Sequence, residues 1–419
     1  MSLPWIFLAV SVVGLLATLN AHFPLRRSAP LRVPSFFAGW LTGELPLHHI
    51  GWQLLATFFF AAAGALSDWP GWLGLALCLA SWMGLLALLA PAQAARACIV
   101  AASAAASGAA ETQSPPATPL RVPRNPFALS DPRIRRSGNI PYVPDAGPRQ
   151  QLDVYRLATG VENAPVLLQI HGGAWLIGEK RQQGLPLMME LARRGWVCVA
   201  INYRLSPQHA WPAHLLDCKS ALAWIRTHIR DFGGDPGFVA ATGGSAGGHL
   251  CALMGLTEND PRYQVGFEGA DTRLAACVPF YGVYDWTEGP DAESGRIFRR
   301  ILERQIMKAS YAGAEERFRE ASPLHRVHAE LPPFLVIHGR DDTLAPVQGA
   351  RAFVSRLREA SKSPVGYAEL PGAQHAFDVF HSVRSRETVE GVSDFLDGVH
   401  ARYRSGRTQH PRVREADPI

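Results

Sequence analysis

The pattern of apolar and polar positions divides the chain in two. Before about residue 90 the apolar positions form long runs without a charged side chain: Pro4 to Leu19 (16 residues), Ile50 to Leu66 (17 residues) and Trp69 to Ala90 (22 residues). Runs of this length approach the roughly 20 residues that a helix needs to cross a bilayer. Only Ser67-Asp68 separates the second from the third, and Pro70-Gly71 stands just inside the third, so the pair predicts a helical hairpin. Trp5, Trp52, Trp69 and Trp72 lie near the ends of the runs, where interface belts place aromatic rings. Three membrane-crossing helices are expected. A cleaved signal sequence fits the first run poorly, because no basic residue precedes it and the apolar character continues downstream.

Residues 92–119, rich in Ala, Ser and Pro, read as a helix fading into a linker. From about residue 138 short apolar runs alternate with helical patterns. Gln151 to Leu157, Val166 to Ile170, Val197 to Ile201, Phe238 to Ala241, Ala276 to Tyr281, Phe334 to His338 and Gly366 to Leu370 read as strands. Helices are expected over about 181–194, 212–228 and 385–399, and directly after residue 245. Strands separated by helices of such length imply parallel pairing through right-handed crossovers, an α/β sheet covered on both faces. The expected organisation is a membrane region over 1–91, a linker over 92–135, a catalytic domain over 136–402 with a lid at about 285–330, and a polar tail over 403–419. In the lid segment Ile297, Phe298, Ile301, Leu302 and Ile306 recur at near-helical spacing with arginines between them.

Composition sharpens this division. Residues 1–90 hold five charged side chains (Arg26, Arg27, Arg32, Glu44, Asp68) and six of the 11 tryptophans. With three spans, the loop carrying Arg26, Arg27 and Arg32 lies on the same side as everything after residue 90, and the positive-inside rule places the catalytic domain in the cytoplasm. Of the 41 basic residues four are lysine, and no basic run interleaves with aromatics, so a nucleic-acid partner is not expected. The six cysteines show no C-x-x-C spacing and read as small buried hydrophobes. His48-His49 has no carboxylate or cysteine nearby at ligand spacing, so no metal site is expected.

The chemistry gathers where strands end. Gly243-Gly244-Ser245-Ala246-Gly247 stands between a strand and a helix-forming run, the nucleophile-elbow pattern that lifts a serine hydroxyl above a sheet edge. His171-Gly172-Gly173-Ala174-Trp175 follows the strand VLLQI, and two glycines there let backbone N–H groups approach an oxyanion, with Ala246 N–H as a further donor. Asp341-Asp342 follows the strand Phe334 to His338, and His375 follows the strand ending at Leu370. The order Ser, Asp, His makes Ser245 the candidate nucleophile, His375 the base and one of the two aspartates the acid that orients it; Asp342-Thr343-Leu344-Ala345-Pro346 resembles the D-x-x-V-P loop that carries the acid in folds with this order, which implies Asp342. Asp341 is then a solvated loop residue. His249 reads as a packing residue and His338 as a support of the acid loop. No G-x-x-x-x-G-K-[ST] or G-x-G-x-x-G occurs to cradle a phosphate.

HGGAW (171–175), NYRLSP (202–207), FGGD (232–235), GGSAGGHL (243–250), HGRDDTLAP (338–346) and GAQHAF (372–377) together resemble the hormone-sensitive-lipase-like carboxylesterases of the α/β-hydrolase fold. The resemblance covers about residues 138–400 and implies hydrolysis of carboxylic esters through an acyl-serine, without metal or organic cofactor. It also implies Gly172, Gly173 and Ala246 as the oxyanion hole. Ala174 and Gly244 depart from the residues many members carry there and resemble the kynurenine-formamidase and xylan-esterase-like branches. The membrane region lies outside the usual family pattern and resembles the layout of some membrane-anchored bacterial esterases. A lipophilic ester and membrane lipid are the expected partners. An acyltransferase, a formamidase or deacetylase with the same triad, and a non-catalytic binding protein are the alternatives.

Overall fold

The computed structural model describes residues 2–26, 29–108, 120–287 and 293–409. Arg27, residues 109–119 of the expected linker, part of the lid and the last ten residues of the chain lie outside them. The N-terminal region is helical: α1 (Leu3–His22), α2 (Ala29–Glu44), α3 (Pro46–Ala62), α4 (Trp69–Ala87) and α5 (Leu89–Ala106). The first and third apolar runs become α1 and α4. They pack side by side through small residues, with Gly74 against Phe7 and Ser11, and Gly84 against Thr18. Thr18 Oγ1 and Ser81 Oγ share a buried hydrogen bond of 2.8 Å. These contacts run in register, so the two helices are parallel and end on the same side. The second run becomes α3, which runs back between them, with Phe60 stacked on Phe7 at 5.2 Å and Gln53 beside Gly14.

Two helices, Leu3–His22 and the continuous stretch Trp69–Ala106, are long and apolar enough to cross a membrane, against the three expected. α3 falls short because Pro46 starts it and left-handed Gly64 stops the chain just beyond it. The arginine loop also differs from expectation, since much of it is α2, with Arg32 in its first turn.

The α/β body follows as β1 (Ile134–Pro141), β2 (Gln151–Leu157), β3 (Ala164–Ile170), α6 (Leu185–Arg193), β4 (Val197–Ile201), α7 (Ala213–His228), β5 (Gly234–Gly244), α8 (Ala246–Leu256) and β6 (Ala276–Phe280). Then come α9 (Glu293–Ile301), α10 (Glu315–Glu320), β7 (Phe334–Gly339), α11 (Val347–Ala360), β8 (Val365–Leu370) and α12 (Val383–Gln409). One sheet of eight strands runs in the order β1-β2-β4-β3-β5-β6-β7-β8. β2 pairs antiparallel with both β1 and β4, and the pairings among β4, β3, β5, β6, β7 and β8 are all parallel, as the strand and helix alternation predicts. The central strands β3, β4, β6 and β7 are buried along their whole length because helices cover both faces. One core lies under α7, α8 and α11, and the other under α5, α6 and α12.

Residues 92–106 are not linker. Ala95, Ile99, Ala102 and Ala106 of α5 are buried in the second core, and Ile99 lies against Gly391 of α12. Alanine at these spacings lets α5 approach β8 so closely that a Cβ on Gly366 would stand 2.0 Å from Ala102 O. The expected polar tail is likewise helical as far as Gln409, where α12 ends. The lid is α9, a π-helical turn over Leu302–Met307, and α10. Leu302 and Ile306 are buried in the first core while Ile297 is exposed, so the segment is a packed cap with one apolar edge outward.

Candidate active site

The sequence-predicted residues meet at the carboxyl ends of the parallel strands, where sheets of this kind place ligands. β5 runs straight into α8 through Ser245, whose backbone (φ 59°, ψ −121°) lies where L-residues are strained. The Ser245 N–H donates to Phe280 O at 3.0 Å, which ties the elbow to the end of β6. The serine is half-exposed, while Ala246 and the rest of α8 are buried. The turn after β3 reaches the serine itself: a Cβ on Gly172 would stand 3.0 Å from Ser245 Cβ and 2.6 Å from Gly244 O.

Within this turn the structure separates the expected donors. Gly172 N–H donates to Gln183 Oε1 at 2.7 Å, so that group is already partnered. Among the described residues, no protein acceptor takes the N–H of Gly173 or of Ala246. Of the three expected donors, Gly172 thus carries a protein partner, while Gly173 and Ala246 do not. The histidine of the turn, His171, stacks on Tyr203 at 4.4 Å and shares a 2.7 Å hydrogen bond with Gly172 O through Nδ1. Burial drives its pKa down to about 4, so it is a neutral structural ring.

Asp342 and His375 meet as expected. His375 Nδ1 and Asp342 Oδ2 are 2.6 Å apart. Asp342 Oδ1 accepts the Leu344 N–H at 2.8 Å and the Ala345 N–H at 2.7 Å. Burial alone would raise this carboxyl, but the charge and hydrogen bond of His375, then His338 and the Ala345 amide, outweigh it and hold Asp342 below the usual carboxylate range. His338 Nε2–H donates to Ala345 O (2.8 Å) and lies 3.5 Å from Asp342 Oδ2, so it braces the acid loop. No hydrogen bond joins Ser245 Oγ to His375 among the described residues; such contacts commonly tighten only when substrate binds.

Several residues at the site left no signal in the sequence. Tyr281, with φ 36°, packs its ring 4.6 Å from that of His375 and donates its hydroxyl to Asp378. Burial raises Asp378, and the Tyr281 hydrogen bond only partly offsets this. The same tyrosine explains the glycine before the serine, because a Cβ on Gly244 would lie 2.5 Å from the Tyr281 hydroxyl. Gln374 Oε1 accepts the Thr343 N–H at 3.1 Å and the His375 N–H at 3.3 Å, clamping the acid and base loops together. Asp341 is not simply solvated, since it pairs with Arg26 from the N-terminal region. His249 is the packing residue expected: its ring stacks on Trp286 at 4.7 Å and bonds Ala321 O at 2.7 Å. No group of three or more potential metal ligands occurs among the described residues.

Residues 152–357 match the family model described as BD-FAE. The chain is 44% identical over 97% of its length to "Probable carboxylic ester hydrolase LipM" of Mycobacterium tuberculosis, and the match covers 96% of that protein. The chain belongs to the hormone-sensitive-lipase-like α/β-hydrolase family of carboxylic ester hydrolases. "Esterase LipQ" of the same organism is 47% identical over 65% of this chain and 64% of its own length. In fold the chain is similar to esterase B from Lactobacillus rhamnosis (TM-score 0.56, 21% identity, 78% of this chain and 99% of that one). It is also similar to a truncated carbohydrate esterase from gut microbiota (TM-score 0.54, 21% identity, 64% of this chain and 96% of that one).

Proposed function

We propose that the chain is a membrane-embedded serine carboxylesterase acting on lipophilic esters through an acyl-serine. The observation that carries the chemistry is the His375–Asp342 hydrogen bond of 2.6 Å beside a serine held at an elbow. Asp342 fixes the Nδ1–H tautomer, which leaves Nε2 to take the Ser245 proton as Oγ attacks the ester carbonyl. The unpartnered N–H groups of Gly173 and Ala246, the latter at the N-terminus of α8, suit the developing oxyanion. His375 then returns the proton to the leaving alkoxide, and water, deprotonated by the same ring, releases the acid from Ser245.

The membrane reading rests on an inverted surface. α1, α3 and α4 bury Ser11, Thr18, Gly74 and Ser81 between them and expose seven, five and six large apolar side chains respectively, Val13, Trp52, Phe58 and Met83 among the most exposed. Small residues and hydroxyls inside with large apolar groups outside is how helices pack in lipid. Because α1 and α4 run parallel, α3 has to carry the chain back across, which makes three crossings despite its 17 residues. Arg26 pairs with Asp341 of the catalytic body, so arginine loop and body share one side, the cytoplasmic one by the charge rule. α5, buried in the hydrolase core, is outside the bilayer. Purified Ser245→Ala protein is expected to fold normally and to lose hydrolysis of p-nitrophenyl esters; a variant that keeps wild-type turnover would overturn the acyl-serine reading.

A further inference from the structure

The loop that carries His375 connects β8 to α12, and α2 holds it at three levels. Ala376, directly after the histidine, is an alanine in the left-handed region (φ 56°), a conformation its own side chain disfavours. Trp40 Nε1 donates to the carbonyl oxygen of this same residue at 2.9 Å, and the Trp40 ring packs on Phe380 at 5.3 Å. One turn before, Phe36 stacks on Trp40 and sets its ring 6.3 Å from His375 in an edge contact. At the end of α2, Glu44 accepts hydrogen bonds from Ser382 Oγ (2.7 Å) and from Arg384, and the Glu44 and Arg384 side chains are each 1% exposed. Both ends of the histidine loop are thus fixed by a helix more than 300 residues away in sequence.

We propose that α2 is a positioning element of the catalytic histidine, with Trp40 and Glu44 as positioning residues, so that the N-terminal region belongs to the catalytic apparatus as well as to the membrane anchor. The proposal rests on the acyl-serine reading above. A strained residue keeps its conformation only where its surroundings over-determine it, and Trp40 supplies the shorter of two bonds to Ala376 O, beside the Val379 N–H at 3.4 Å. The aim of the His375 ring toward Ser245 follows from that backbone, while ester binding does not. Loss of these contacts therefore reduces transition-state stabilisation and leaves the ground-state complex intact.

The test uses the full-length protein in detergent, with p-nitrophenyl acetate as a soluble ester that needs no bilayer. Trp40→Phe keeps an aromatic ring and removes the donor to Ala376 O; Glu44→Gln keeps the shape and removes the charge facing Arg384. In Trp40→Phe kcat is expected to fall roughly tenfold or more, with KM within about twofold of wild type and the melting temperature close to it. Labelling of Ser245 by a fluorophosphonate is expected to slow in parallel. Glu44→Gln is expected to show the same split if it folds; if it does not, Trp40→Phe decides. A folded Trp40→Phe protein with wild-type kcat and labelling rate overturns the proposal. Failure of the wild type itself to hydrolyse the ester would instead sink the reading beneath it.

Discussion

Ser245 and its neighbours show how single residues are selected by what lies across from them. The serine's backbone strain, of order 1–3 kcal/mol for such a conformation, is held by the bond from its N–H to Phe280 O and by the first turn of α8. Gly244 is glycine because the Tyr281 hydroxyl occupies the space its side chain would need. Gly244→Asp would therefore push Tyr281 off His375. It is expected to destabilise the protein by about 1–3 kcal/mol and to lower kcat, checked by thermal unfolding and turnover side by side. The serine, acid and base were legible in the sequence because each sits in a local motif at a strand end. Tyr281, Gln374 and Gln183 were not, because they act through contacts made only after the strands are assembled.

Among the elements, α5 departs most from its appearance. Its composition, mostly alanine, carries no apolar stripe strong enough to announce a core helix, and the Ser- and Pro-rich residues after it favour a linker reading. Its small side chains serve instead to bring two backbones together: Ala102 O lies where a Cβ of Gly366 would be. Gly366→Val is expected to force α5 away from β8 and to cost about 2–4 kcal/mol of stability, more than overpacking at a yielding site, because the obstacle is backbone. Chemical denaturation of the full chain measures it; an unchanged midpoint would show that α5 is not part of the cooperative core. α2 follows the same logic. Its Glu44–Arg384 pair contributes little net stability over an apolar pair, yet removing one partner leaves a buried charge, typically at 3–5 kcal/mol. Burial draws the Arg384 pKa down to about 9.

At the scale of the molecule, a bundle with an apolar exterior is joined to an α/β body by α2 at the histidine loop and by α5 against β8 and α12. Eighteen large apolar side chains exposed on α1, α3 and α4 would gain roughly 1 kcal/mol or more each on leaving water, on the order of 20 kcal/mol in all, which aqueous solution cannot supply. The protein is expected to stay in the membrane pellet through alkaline carbonate and to leave it with detergent; release by carbonate would overturn the embedding. The sequence by itself determined the reaction class, the three candidate triad residues, the parallel sheet and the apolar character of the first 90 residues. These are written in short motifs and in hydrophobic period, which neighbouring residues encode among themselves. Only the tertiary structure decided that Gly172 N–H is taken by Gln183, that residues 92–106 are core, and that α2 grips the histidine loop. Those depend on pairs such as Trp40 with Ala376 and Glu44 with Arg384, 336 and 340 residues apart, whose meeting no local pattern specifies.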